Sequence, residues 1–381
     1  MTVLGEFVRG PTLSDFPFIS SLASSESPKD RRIWLRVTTD HFVATEPSDS
    51  ATTEKFIDAM TAQLDAADSA ARLEVAWKLA PCARAPARLL AALSSVDSEA
   101  GDYVLEHAVA YANSELERAV LRGGRSAIAV AKRRRLDPRI VNMLAAQDDV
   151  LVLIALASND STRLEGPTLL DLLRRARRLA EREGDRRLAD ALLQRGPVGS
   201  DSAVLFLCAR PNQRIEILLA AQRSQLGRPT APSVPIRSTS LDELELAAVT
   251  RQSERFVALL AEALDCEREL AQRIADDATG EPLAVALAAL GAANEVLVRI
   301  LTSNDLLAGA SYQRIRALAR LNNALDRNAA IMVMAALRDE PAARGGHKLL
   351  TEAYATPAPS RATPASIMKR ARESPQRLLR K

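Results

Sequence analysis

Lys132-Arg133-Arg134-Arg135 is an unbroken run of four cations. Such a run can dock a carboxylate-rich partner or a phosphate backbone, with Arg118, Arg122 and Arg139 close enough in sequence to widen the patch. A plainer chemistry competes with it. Helical spacing from Ser126 through Arg135 puts the run at a helix C-terminus, where the macrodipole favours positive charge. Neighbouring helix positions point about 100° apart, so four consecutive cations do not share one face. A second basic group, Arg174, Arg175, Arg177 and Arg178, has Asp171 three and four positions before it and Glu181 four after Arg177. That spacing predicts a solvated, ion-paired helix face. The third group lies near the end of the chain, where Lys369, Arg370 and Arg372 follow Ile367 and Met368. It suits an acidic protein, nucleic acid or an anionic membrane surface, or simply a solubilising tail.

Catalytic chemistry finds no assembled constellation. His41, His107 and His347 are scattered, and none has a second ligand at helical spacing. His107, between Glu106 and Ala108, reads as a packing histidine. Cys82, Cys208 and Cys266 stand singly on apolar stretches and read as free thiols of a reducing cytoplasm. Gly123-Gly124-Arg125-Ser126 lacks the Gly-Lys-Ser/Thr ending of a phosphate loop, and Gly345-Gly346 likewise separates two helices. Asp148, Asp149, Asp160 and Asp305 fall where helix caps are expected. The expectation is a chain with no catalytic, cofactor-binding or metal residues, and no cofactor: a binding protein, not an enzyme.

The elements that must position these groups are helical. Apolar residues make up 47% of the 381 and aromatics only 3%, a mixture that favours close helix packing over sheets. The formal charge of +3 is uneven: seven basic residues and one acid lie between Arg361 and Lys381, leaving 44 basic and 47 acidic groups elsewhere. The body is therefore weakly acidic, and polyanion binding would fall to a local patch or the tail. The start, Met1-Thr2-Val3-Leu4-Gly5-Glu6, lacks the pattern of a secretory signal, and apolar runs of about eight residues are too short to span a bilayer. A cytoplasmic protein with no transmembrane segment is expected.

Along the chain, 1–27 reads as a loose arm and 28–226 as a helical repeat domain. Pro-rich 227–240 reads as a linker, 241–355 as a second helical repeat domain, and 356–381 as a basic disordered tail. Within 28–226, helices of about 9–16 residues alternate with short polar turns at a loose period of about 36–45 residues, as in stacked helical hairpins. Expected starts include Ser69, Pro86, Asp97 or Ser98, Asn113 or Ser114, Asp137-Pro138 and Asp148-Asp149. The apolar run Val150 to Ala157 ends in Ser158-Asn159-Asp160, and Val296 to Thr302 ends in Ser303-Asn304-Asp305. This echo suggests a recurring terminus, with Asn159 and Asn304 suited to left-handed caps.

From Lys29 to Gln222 the order of elements resembles the bacterial domain-of-unknown-function family DUF2336. The resemblance rests on Arg72-Leu73-Glu74-Val75-Ala76-Trp77-Lys78-Leu79 before Ala85-Pro86, on Ile128-Ala129 through Arg135-Leu136-Asp137, and on the Val150 to Asp160 run. Lys78, Cys82 and Gly166-Pro167 depart from that family's pattern. It implies HEAT-like helical pairs and a bacterial, cytoplasmic setting, and it transfers no site residues. The expected fold is thus all-α, a HEAT-like α-solenoid of stacked helical hairpins with disordered termini. The expected function is a protein-interaction scaffold or regulatory adaptor whose partner is a peptide or helix of another protein. The alternative is a nucleic-acid-binding protein using the patch Lys132, Arg133, Arg134, Arg135 and Arg139, or the tail.

Overall fold

A computed structural model describes residues 22, 25, 27–45, 50–95, 97–196, 199–226, 238–303 and 312–338. These residues are all-α, with no strand among them. The first eleven helices are α1 (Pro28–Ala44), α2 (Ser50–Asp65), α3 (Ser69–Leu79), α4 (Ala87–Ser94), α5 (Glu99–His107), α6 (Asn113–Arg122), α7 (Gly124–Ala131), α8 (Pro138–Ala145), α9 (Val150–Ala157), α10 (Gly166–Arg182) and α11 (Arg187–Gln194). A 3₁₀ segment, Ser200–Cys208, leads into α12 (Pro211–Gln225). Then come α13 (Ser238–Val249), α14 (Ser253–Leu264), α15 (Arg268–Ala275), α16 (Glu281–Leu290), α17 (Asn294–Ser303), α18 (Tyr312–Ala324) and α19 (Arg327–Leu337).

Helices of eight to seventeen residues are marginal in isolation, so packing must hold them. Each odd-numbered helix from α1 to α11 packs on the next odd one, while α2 with α4, and α6 with α8 and then α10, form a second layer. The apolar faces turn into the space between the layers: Val75, Ala76 and Leu79 on α3, Val104 and Leu105 on α5, and Ala127, Val130 and Ala131 on α7. Small residues at these positions let the helices approach closely.

Local signals set the boundaries. Ser98, Asp137 and Asp149 cap α5, α8 and α9, each accepting from a backbone N–H of the first turn. Asp68, not Ser69, caps α3, because its carboxylate accepts from the Ala71 N–H at 2.7 Å. Ala112 precedes α6, so neither Asn113 nor Ser114 is the cap. The chain reverses between α6 and α7 within Gly123 and Gly124, whose φ values of 74° and 51° lie where a Cβ is strained. As a result α7 begins at Gly124 rather than Ser126 and ends at Ala131, before the basic run.

The helix ends show what registers the layers. Helical carbonyls in the last turn lack intrahelical partners. Here the ends of α1, α3, α5, α7 and α9 each receive a donor from just beyond the next odd-numbered helix. Arg84, beyond α3, donates to Val43 O and Thr45 O at 3.1 and 3.2 Å. Val109 N–H, beyond α5, donates to Ala80 O at 2.9 Å. Arg133, beyond α7, donates to Leu105 O and Ala108 O at 2.6 and 2.7 Å. Asn159, beyond α9, donates to Ala131 O and Arg133 O at 2.7 and 2.6 Å. Arg195, beyond α11, donates to Leu156 O, Ala157 O, Asn159 O and Thr162 O. C-terminus thus meets C-terminus along five rungs, which makes these helices run the same way. The second layer repeats the device: Arg122 donates to Ser94 O, Gln147 to Val120 O and Arg175 to Gln147 O.

Asn159 therefore does not have the left-handed backbone expected of it. Among the described non-glycine residues only Arg251 and Asp265 have positive φ. Its buried amide bridges two helix ends instead, and its Oδ1 accepts from the Ser161 N–H. Asn304 and Asp305 lie outside the described residues.

Beyond α11 the regular stack gives way to a closed packing. The segment Ser200–Cys208, with no counterpart in the sequence reading, packs with α10, α12 and α19, and α19 also packs on α16. Pro282 through Leu290 of α16 are all buried, as expected of a helix apolar on every side. One apolar core runs from Leu105 to Leu337 and a second from Leu22 to Ala108, meeting at Tyr111. The larger core has members on both sides of 227–237, which lie outside the described residues.

Arg214 fastens this region. Its side chain is 5% exposed and donates to Phe206 O, Leu207 O, Thr279 Oγ1, Asp277 and Glu281. Burial alone would push the Asp277 carboxyl up, but hydrogen bonds from Arg214 and Thr279 outweigh it and hold it below its ordinary 3.8. A carboxylate with a lowered folded pKa stabilises the fold above its unfolded value, and that contribution is lost as pH falls through the folded one.

Two outcomes follow. Arg195→Ala leaves four carbonyls without their guanidinium and should cost about 2–3 kcal/mol in urea unfolding, with an unchanged m-value. Asp277→Asn should lower the melting temperature at neutral pH and flatten its decline between about pH 5 and pH 2; parallel declines in variant and parent would remove Asp277 from this role.

Candidate functional site

Of the basic patch expected around residue 132, Arg133 turns inward while Lys132, Arg134, Arg135 and Arg139 stay at the surface. Arg133 points inward to the α5 carbonyls, and burial holds its guanidinium below its ordinary value. Arg139 pairs with Glu117 at 3.3 Å and Arg118 with Glu115 at 2.6 Å, while Arg122 caps α4. Lys132, Arg134 and Arg135 remain exposed in the turn after α7, with no partner among the described residues. The run thus divides by position: one residue enters the ladder and three face solvent. Lys369, Arg370 and Arg372 of the tail lie outside the described residues.

The α10 arginines are ion-paired in part. Arg175 meets Asp171 at 3.0 Å, and Arg177 meets Glu181 at 2.6 Å, with Arg273 joining Glu181 at 2.7 Å. Arg174, Arg177, Arg178 and Arg182 line a cleft of about 700 Å³ against Asp265, Cys266 and Leu270, in which, with Arg338, five arginines face four acids. Charges of both signs on its walls largely cancel. Burial pushes the Cys266 and Cys208 thiols up, the wrong direction for a nucleophile. Among the described residues no three metal-ligating side chains gather into a possible metal site.

A different surface stands out at the N-terminal end. On α1, Lys29, Arg32, Ile33 and Arg36 share one face at helical spacing; on α3, Ala70, Leu73, Glu74, Trp77 and Lys78 do the same. Together they line a groove of about 670 Å³. Trp77 is 53% exposed, whereas Trp34, the other tryptophan, is buried at 6%. Trp77 meets Tyr103 of α5 edge-on at 6.4 Å, and Tyr103 lies 4.3 Å from the His107 ring. An aromatic row therefore crosses from α3 to α5 on the outside of the odd-numbered layer.

The rim is cationic. Arg32 holds Glu74 at 3.3 Å, and Lys78 holds Asp40 at 2.6 Å and Glu74 at 3.9 Å. Lys29 and Arg36 have no partner among the described residues. In sequence Trp77 belongs to the Arg72 to Leu79 pattern and is one of two tryptophans, with no mark of a site. A signal was present: α3 carries Ala71, Val75, Ala76 and Leu79 toward the core, yet Leu73 and Trp77 add apolar surface on another face.

The basic run offers a direct check. Arg133→Ala should destabilise the chain by about 1–3 kcal/mol, whereas Arg134→Ala should stay within about 0.5 kcal/mol, read by thermal or urea unfolding. Equal effects would mean that Arg133 does not serve the ladder.

Compared with models of known protein families, with curated proteins and with solved structures, the chain matches none.

Proposed function

We propose that this protein is a non-catalytic interaction scaffold that holds a peptide or helix of another protein on the outer face of α1 and α3. The observation that carries this reading is the half-exposed Trp77 at the floor of the groove. Large aromatic side chains are costly to leave in water and are enriched where proteins bind. Ile33 on α1 and Ala70, Leu73 and Trp77 on α3 give the trough an apolar lining of the kind that accepts a third helix or an extended segment. The ladder supports the reading from a different side, since it fixes α1, α3 and α5 in register before any partner arrives.

The nucleic-acid alternative draws less support. Arg133, Arg118, Arg122 and Arg139 are each engaged within the fold, and three turn cations make a small footprint for a phosphate backbone.

Peptide-display selection on the immobilised full chain tests the proposal. Clones should lose binding by roughly tenfold or more to Trp77→Ala, and keep it with Leu219→Ala, which alters an exposed apolar residue on α12. Clones indifferent to Trp77 would sink the reading.

A further inference from the structure

The groove carries a charge signature that narrows its occupant, an inference that rests on the docking reading above. Four of its nine lining residues are cations, Lys29, Arg32, Arg36 and Lys78, and one is an acid, Glu74. Counting Asp40, which holds Lys78, the rim keeps two positive charges in excess. Lys29 and Arg36 flank Ile33 along α1, while Leu73 and Trp77 provide the apolar floor from α3. This is the reverse of the body as a whole, in which acids outnumber bases outside 361–381.

We propose that the groove binds an acidic protein segment that seats a bulky apolar side chain against Leu73 and Trp77 and aligns its carboxylates with Lys29 and Arg36. The charge pattern rejects the chain's own 361–381 segment, with its seven basic residues and one acid. Peptide is favoured over nucleic acid because the apolar residues, Ile33 on α1 and Ala70, Leu73 and Trp77 on α3, line the trough between two adjacent helices, as in a helix-in-groove site. Lys29 and Arg36, unpaired among the described residues, steer encounter and make binding sensitive to salt, while the apolar anchor supplies most of the affinity.

The experiment sorts Trp77-dependent display clones by net charge. Resynthesised peptides are titrated on the full chain and followed by tryptophan fluorescence. The expected clones are net acidic with at least one large apolar residue. Their affinity should fall by roughly tenfold or more on Lys29→Glu/Arg36→Glu, and fall again near 1 M salt, where screening shortens to roughly 3 Å. Because both substituted side chains are exposed, the doubly substituted chain should keep its circular dichroism and melting temperature. Trp77-dependent clones that are neutral or basic would overturn the charge assignment yet leave the groove as a docking surface. A single-stranded oligonucleotide that displaces acidic clones at equal or lower concentration would overturn the peptide assignment in favour of nucleic acid. A set of clones with no dependence on Trp77 would overturn both this inference and the reading beneath it.

Discussion

The unsatisfied carbonyl at the end of a short helix is the constraint on which this structure depends. Most elements have only two or three turns, so a large fraction of their peptide groups lies in first or last turns with no intrahelical partner. Leaving such groups buried and unpaired would cost more than the apolar faces alone could offset. The fold answers by drawing a donor from the end of the next-but-one helix, and the same geometry that satisfies the carbonyl sets the spacing and direction of the layer. Arginine suits the task because its guanidinium forks to reach several oxygens at once, as Arg195 does with four. Asparagine and a bare backbone N–H serve at two of the rungs.

This accounts for what the sequence reveals and what it conceals. Helix type, the short turns and several caps follow from local chemistry: Asp137, Asp149 and Ser98 are where capping rules put them. The role of Arg133 does not follow locally. In sequence it is one of four identical charges, and only the position of α5, some 25 residues earlier, tells it apart from Arg134. Asn159 is similar, since its residue type suits a turn as well as a bridge and tertiary contact decides between them. The segment Ser200–Cys208 escaped the helical pattern because Ala203, Val204, Leu205 and Phe206 are consecutively buried, an apolar run that carries no period. The groove was half legible. Its residue types could be read on α3, but its shape required α1 to lie alongside.

Many arginines among the described residues are turned toward helix ends or neighbouring carboxylates. The cations left over gather in two places, Lys29 and Arg36 beside the groove and Lys132, Arg134 and Arg135 in the turn after α7. Charge in this molecule is informative chiefly where it has been left over.

The ladder also has a sense of travel. In its odd-numbered layer every rung is given by the later element and taken by the earlier one, so α1 waits for Arg84 and α9 for Arg195. A nascent chain therefore completes each helix only after the following pair has emerged. Cutting the stack leaves two chemically unlike faces: the upstream piece ends in bare acceptors, and the downstream piece begins with idle donors. The two ends of any fragment would attract each other head to tail, which makes an interrupted copy of this protein a natural seed for joining chains end on end.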